Sequence, residues 1–392
     1  MKKKNIGVIT GSRAEYDLLK PIIKELKKKN FCKLSLIVTG SHLSKKFGFT
    51  YKKIIKDKIK IDKKINILDK KNDDEKSICF AISRGISKFA NIFQKNKYDF
   101  ILVLGDRFEI LSTVVSAAFF KIPIIHISGG EISTGSIDDS VRHVITKLSS
   151  YHFVSHKIYK DRVIQLGEDP NRVFDVGSTG PENIKNEKLL NKIELQKEMN
   201  FIFKKENFLI TYHPVTYERD YGAKNFKILL KVLSNFKKIG LIFTMPNSDI
   251  KNNTFHKMIE GFVKKNKNSK YFMSLGSKKY FSCVNNIDIV IGNSSSGLIE
   301  IPSFKKPTLN LGKRQNGRIS PKSVIDCENI TERGIISAIK KIKSKKFQKL
   351  LKTIKNPLEK KNSTSKIIKI LTRITRQKNK EKIFYDLKKY IV

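Results

Sequence analysis

The chemistry of this chain is densest between residues 99 and 148. One apolar run ends in Leu104-Gly-Asp106-Arg107, a second ends in His126-Ile-Ser-Gly-Gly-Glu131, and Asp138-Asp139-Ser-Val-Arg142-His143 follows. Carboxylates and imidazoles in this number can remove and return protons, and guanidinium groups can hold an anionic leaving group. The runs 98–104 and 122–127 are short, apolar or β-branched, and bounded by Gly, Pro or charge, which reads as buried parallel strands. In open α/β sheets, ligands bind beyond the carboxyl ends of the strands. Asp106, Arg107, Glu131, Asp138, Asp139, Arg142 and His143 are therefore expected to converge on one crevice.

A second loaded stretch is Ile287-Asp-Ile-Val-Ile-Gly-Asn-Ser-Ser-Ser-Gly-Leu-Ile-Glu300. A strand running into a small-residue turn that opens a helix presents backbone N–H groups and a helix dipole suited to a phosphate. Ser294, Ser295 and Gly297 would let a pyrophosphate approach closely, and Glu300 suits a ribose diol. An ordinary Ser-capped helix has the same pattern, but Gly312-Lys-Arg314-Gln-Asn-Gly-Arg318 adds cationic donors directly after the next strand. Neither GxxxxGK[ST] nor a GxGxxG after the first strand is present, which places a nucleotide in the second half. In Gly11-Ser-Arg-Ala-Glu-Tyr16, Arg13 follows the first strand and could reach a phosphate or acid. His213-Pro214 ends the first strand of the second half and faces the same expected cleft. His152 and His156 are four apart, but 151–154 reads as strand and no third ligand is evident, so no metal is expected.

Strand and helix patterns alternate throughout, which predicts parallel sheets with helices on both faces. Strands are expected at 5–10, 34–39, 98–104, 122–127, 151–154 and 172–176, and in a second series at 208–212, 240–244, 271–273, 287–291 and 308–311. Leu18, Leu19, Ile22, Ile23 and Leu26 repeat at helical spacing after the first strand. Gly177-Ser-Thr-Gly-Pro181 breaks the pattern, and the Lys/Glu/Asn-rich stretch to about Glu206 reads as helix plus linker. Ile367, Ile368, Leu371 and Ile374, then Ile383, Phe384 and Leu387, predict amphipathic docked helices near the end. A chain of 392 residues, 39% of them hydrophobic, has ample material for two cores.

The net charge of +44, from 80 Lys and Arg against 36 Asp and Glu, invites a nucleic-acid reading. The excess is mostly Lys on helical faces, as in Ile22-Ile-Lys-Glu-Leu-Lys-Lys-Lys29, which points to solvated helix surfaces instead. Such a surface still steers anionic substrates. Cys32, Cys79, Cys283 and Cys327 form no CxxC pattern, the first apolar run is too short for a signal sequence, and Lys121 and Pro123 interrupt the longest apolar region. A reduced, cytoplasmic protein without a membrane span is expected.

In order along residues 6–325, Gly11-Ser-Arg-Ala-Glu-Tyr16, Gly105-Asp-Arg107, His126-Ile-Ser-Gly-Gly-Glu131, Asp138-Asp-Ser-Val-Arg-His-Val-Ile-Thr-Lys147, His213-Pro-Val-Thr216, Gly292-Asn-Ser-Ser-Ser-Gly297 with Glu300, and Arg314-Gln-Asn-Gly-Arg318 resemble the hydrolysing UDP-N-acetylglucosamine 2-epimerases. The resemblance implies two Rossmann-like domains of the glycosyltransferase B type with parallel sheets facing a cleft. Expected boundaries are 1–185, 186–370, and a helical tail 371–392 packing back on the first domain. It also implies that UDP-N-acetylglucosamine and water give N-acetylmannosamine and UDP, by elimination to a 2-acetamidoglycal and then hydration, on the way to sialic acids. Relatives acting on nucleotide-linked 2,4-diacetamido-2,4,6-trideoxy sugars, toward legionaminic acid, share the motifs, and a retaining glycosyltransferase of the same fold is the more distant reading. By this resemblance Asp106, Glu131 and Asp138 share the acid/base work. Arg142 and His143 orient them or hold the diphosphate, and His213 joins the reacting groups. Arg13, Arg107, Asn247, Ser294, Ser295, Gly297, Glu300, Arg314 and Arg318 bind the substrate. Some members carry Glu where this chain has Ser128, which leaves Glu131 as the nearest carboxylate. No cofactor, metal, nucleic acid or membrane partner is implied, and a homo-oligomer is compatible with the sequence.

Overall fold

A computed structural model of the chain describes residues 3–69, 74–374 and 382–387. By its contacts the chain divides into two compact units, Met1–Glu131 with Asp138–Asn183 and Lys360–Val392, and Ile132–Ile137 with Ile184–Glu359.

The first unit holds a seven-stranded parallel sheet in the order β3-β2-β1-β4-β5-β6-β7. Its strands are β1 (Lys4–Thr10), β2 (Cys32–Thr39), β3 (Lys63–Ile65), β4 (Phe100–Leu104), β5 (Ile124–Ile127), β6 (Tyr151–Val154) and β7 (Val173–Asp175). Successive side chains of a strand point to opposite faces, so Leu36 and Val38 enter one core and Ile37 the other. The first core is closed by the helix Arg13–Lys27, whose Tyr16, Leu19, Ile22, Ile23 and Leu26 are buried at helical spacing. Pro21 interrupts that helix and cannot donate to Asp17 four residues back. The Asn183 side chain supplies the missing donor to the Asp17 carbonyl at 3.1 Å, and the Thr179 hydroxyl serves Leu18 at 2.8 Å. The helix Thr179–Asn186 is thereby seated on the proline break.

The second unit has a six-stranded parallel sheet, β10-β9-β8-β11-β12-β13. It comprises β8 (Glu206–Thr211), β9 (Ile239–Thr244), β10 (Ser269–Phe272), β11 (Ile289–Gly292), β12 (Thr308–Leu311) and β13 (Val324–Cys327). In each sheet the strand order reverses once, between β1 and β4 and between β8 and β11, and these switch points are where an open α/β sheet leaves a crevice beyond its strand ends. At the second of them Gly292 has φ +143, and a Cβ there would lie 1.9 Å from the Thr211 main-chain oxygen, so only glycine fits.

Several expectations are corrected. The short edge strands β3 and β13 were not expected: Lys63-Lys-Ile65 carries little apolar signal, and Val324–Cys327 is brief. The stretch expected as helix plus linker before Glu206 does hold a helix, Lys192–Met199, opened by a capping box of Asn191 and Glu194, but it is packed and not a free linker, since Leu190, Leu195, Met199, Phe201 and Phe203 enter a core of the second unit. Contacts assign 360–370 to the first unit, ahead of the expected return at 371, because Ile367, Ile368 and Leu371 of the helix Ser363–Arg373 pack in the core with Ile22 and Leu26. Residues 382–387 form neither helix nor strand, while 375–381 and 388–392 of the expected tail lie outside the described residues. Lys382 Nζ donates to Ser149 O at 2.7 Å, and Tyr385 N donates to Gly167 O at 3.0 Å. No helix among the described residues is long and apolar enough to cross a membrane.

Gly292→Ala should destabilise the protein by about 3 kcal/mol or more, since strained backbone and a main-chain clash coincide. Gly48→Ala, also left-handed but with nothing within 4 Å of its Cβ, should cost about 1 kcal/mol. Calorimetric unfolding of the two variants checks the contrast.

Candidate active site

In the first unit the ends of β4 and β5 and the helix Ile137–Leu148 meet around one guanidinium. Arg142 is 1% exposed, ion-pairs with Asp106, reaches Asp139 at 3.5 Å and donates to the Glu131 main-chain oxygen at 2.9 Å. Burial opposes its charge, but Asp106, Glu131, Asp138 and Asp139 outweigh burial and raise its pKa above the ordinary arginine value. Arg142 is thus a permanent positive charge at the focus of four carboxylates. Glu131 is buried and accepts from the Ser155 hydroxyl at 3.3 Å. His143 Nε2 lies 3.6 Å from Asp139. Burial lowers the His143 pKa, Asp139 opposes the shift, and Arg142 and Arg162 reinforce it.

The sheet beneath is neutral. His126 bonds Gly105 O through Nε2 at 2.8 Å and the Thr146 hydroxyl through Nδ1 at 3.1 Å, and burial pushes its pKa down to about 3. It therefore ties the end of β4 to the Arg142 helix as an uncharged strut. Ser128 adopts φ +68, an uncommon left-handed conformation that turns the chain sharply before Gly129 and Gly130 and delivers Glu131. The zinc pattern is also resolved structurally: His152 bonds Glu168 at 2.9 Å, and His156 caps the helix Lys157–Gln165.

Arg107, expected on the substrate, has its Nε bonded to Glu109 at 3.2 Å. Glu109 in turn neighbours Glu15, whose carboxylate accepts from Gly11 N at 2.7 Å. Burial, with the Glu109 charge beside it, pushes the Glu15 pKa up to about 8. Arg13 begins the following helix, half-buried, and its charge adds to the burial that holds His42 neutral.

In the second unit the centre is the buried Asn293, at the end of β11. Its side chain accepts from His213 N at 2.7 Å and donates to His213 O at 2.8 Å, while its own carbonyl receives Arg314 at 3.1 Å and Gln315 at 2.8 Å. Three strand ends are joined through one residue, two by its side-chain amide and the third by its main-chain oxygen. His213 Nδ1 lies 3.3 Å from Asp249, in the loop after β9 that also holds the half-buried Asn247. Ser294, Ser295 and Gly297 do form a turn at this switch point. The helix behind it, Ser296–Ile299, is only four residues long and ends at Glu300, so an anion there would rely on local N–H groups and not on a long helix dipole. Arg318 donates to Ile132 O at 2.8 Å and to the Ser133 hydroxyl at 2.9 Å, and Thr134 donates to Asn316 O at 3.1 Å. The segment following Glu131 and preceding Asp138 is therefore anchored by the 314–318 turn.

Asp249, Asn293 and Gln315 were missed from the expected site, and Asp139, expected in the crevice, was given no separate role. Each lies within or beside a strand-end motif already noted, and Asp249 follows β9 in Met245-Pro-Asn-Ser-Asp249, where the strand-end argument applies equally.

A sequence model of the UDP-N-acetylglucosamine 2-epimerase family matches residues 24–372. The chain belongs to that family. A Campylobacter jejuni member named GDP/UDP-N,N'-diacetylbacillosamine 2-epimerase (hydrolyzing) is 43% identical over 349 residues, covering 89% of this chain and 90% of that protein. The Escherichia coli polysialic acid biosynthesis protein P7 is 36% identical over 386 residues, 98% of each chain. The Neisseria meningitidis UDP-GlcNAc 2-epimerase, solved with UDP-GlcNAc bound, has a TM-score of 0.78 at 19% identity, over 94% of this chain and 99% of that one. The paired parallel-sheet units are thus of the glycosyltransferase B type that the epimerase family shares.

Glu15 gives a stability prediction. Its folded pKa of about 8 lies well above the ordinary glutamate value, so the folded state binds the extra proton and loses stability as pH rises from about 5 through 8. Glu15→Gln should flatten that decline, measured as the change in unfolding temperature between pH 5 and 8.

Proposed function

We propose that this chain is a hydrolysing 2-epimerase of a nucleotide-linked N-acetyl amino sugar. The observation that carries the reading is the set of four carboxylates around the buried Arg142 charge, in a family whose reaction requires proton removal and return at one carbon. A base takes the C2 hydrogen, the C1–O bond breaks, and the nucleoside diphosphate leaves to give a 2-acetamidoglycal. C2 is then protonated from the opposite face, and a water oxygen adds to C1 with loss of its proton. Asp106, Glu131 and Asp138 share these transfers. Arg142 orients them, with His143 beside it. In the second unit Ser294, Ser295, Gly297, Glu300, Asn247 and Arg314 hold the nucleotide, Arg318 steadies the segment after Glu131, and His213 serves the departing diphosphate. Arg13 and Arg107 supply positive charge in the first unit.

Relatives 43% and 32% identical are both named for N,N'-diacetylbacillosamine, which favours a 2,4-diacetamido sugar on UDP or GDP over the UDP-N-acetylglucosamine that the motifs alone put first. UDP-N-acetylglucosamine is the second reading, supported by a 29% identical Neisseria meningitidis relative named for it. Either product, the free manno-configured amino sugar, suits nonulosonate biosynthesis.

Incubation with UDP- and GDP-linked forms of both sugars, with NMR of the released sugar, should show one converted in preference. In deuterium oxide the product should carry deuterium at C2, and its absence would exclude the elimination. Asp106→Asn, Glu131→Gln and Asp138→Asn should each lower turnover by about 100-fold or more with little change in UDP affinity. Arg318→Ala should lower kcat more than UDP affinity, because its guanidinium holds the segment between Glu131 and Asp138; calorimetry beside turnover assays separates the two effects.

A further inference from the structure

The loops that leave β8 and β9 emerge side by side, since these strands pair in register from Glu206↔Ile239 to Thr211↔Thr244. His213 lies just beyond β8 and Asp249 a short loop beyond β9, and His213 Nδ1 meets Asp249 Oδ2 at 3.3 Å. Both members are held by their main chains. The Asn293 side chain clamps both the amide and the carbonyl of His213, and Pro214 restricts the backbone before it to extended conformations. The Asn252 side chain, 1% exposed, donates to the Asp249 carbonyl at 2.7 Å. Two buried asparagines therefore fix the main chains that carry one imidazole and one carboxylate, each independently of the other.

A carboxylate only accepts, so the contact requires the Nδ1–H form of His213 and puts the exchangeable lone pair on Nε2. We propose that Asp249 is a positioning residue that fixes the tautomer and ring orientation of His213, so that the two act as one unit on the departing nucleotide. This rests on the reading of His213 as a reacting group. Through Nε2 the imidazole can hold or pass a proton at the diphosphate, and with Asp249 behind it the protonated ring is stabilised, as a carboxylate does for an imidazole in other acid/base pairs.

The test has two arms. In protein labelled with 15N-histidine, the His213 ring signals, assigned by their loss in His213→Gln, should report the Nδ1–H tautomer. They should shift toward Nε2–H in Asp249→Asn, and in Asp249→Ala if the asparagine variant folds poorly. An unchanged His213 tautomer in the folded variants would overturn the proposal. With UDP-N-acetylglucosamine or UDP-N,N'-diacetylbacillosamine, whichever is turned over, Asp249→Asn should lower kcat by about 10-fold or more with KM within about threefold, and Asp249→Glu should recover part of it. Unchanged kcat in Asp249→Asn would also overturn it. If His213→Gln retains full kcat while the tautomer still depends on Asp249, the role given to His213 fails and the pairing stands.

Discussion

A guanidinium taken out of water must be compensated. The desolvation cost of a buried ion is several kcal/mol, and it is offset only by good geometry with opposite charge and satisfied hydrogen bonds. Arg142 meets that condition with Asp106, Asp139 and the Glu131 carbonyl in direct contact, and with Glu131 and Asp138 adding their field. The requirement explains the surrounding architecture. The end of β4 must deliver Asp106, the turn after β5 must reverse sharply at Ser128 to bring Glu131 inward, and the helix Ile137–Leu148 must present Asp139 and Arg142 one turn apart. His126 stays neutral beneath them because its burial, reinforced by the Arg142 charge, disfavours a second cation.

The second unit reaches the same kind of order without a buried charge. The Asn293 side chain pairs both the amide and the carbonyl of His213, so its loss would leave those two main-chain groups unpaired, at about 1–3 kcal/mol each, while its main-chain oxygen holds Arg314 and Gln315 of the turn after β12. Gly292, immediately before it, exists to let β11 end against Thr211. A strained glycine and a clamping amide together convert a generic strand end into a turn of defined shape.

The strand-end logic makes most of both clusters legible in the sequence. Where apolar runs stop and charged groups begin, the open α/β sheet has its crevice, and Asp106, Glu131, Arg142, His213 and Arg314 fell there for that reason. What stayed hidden depended on side-chain reach. Nothing in the spacing of Asp138 and Asp139 says which one meets Arg142 and His143, and nothing in Arg318 shows that its nitrogens are directed at the segment Ile132–Ser133. The edge strands β3 and β13 were missed because a strand paired on one side only can be short and polar. The brevity of the helix at Ser296 follows from Pro302, which stands close behind it.

The first unit is assembled from both extremities of the chain: the helix Ser363–Arg373 completes its core, and Lys382 and Tyr385 fasten the end of the Arg142 helix and the turn at Gly167. On a ribosome that arrangement inverts the usual order of maturation, in which the part made first is finished first. Residues 184–359 can close their own sheet while the earlier unit still lacks a core helix. A chain just short of residue 363 therefore holds every strand of the second sheet while the first sheet has one face of its core unfilled.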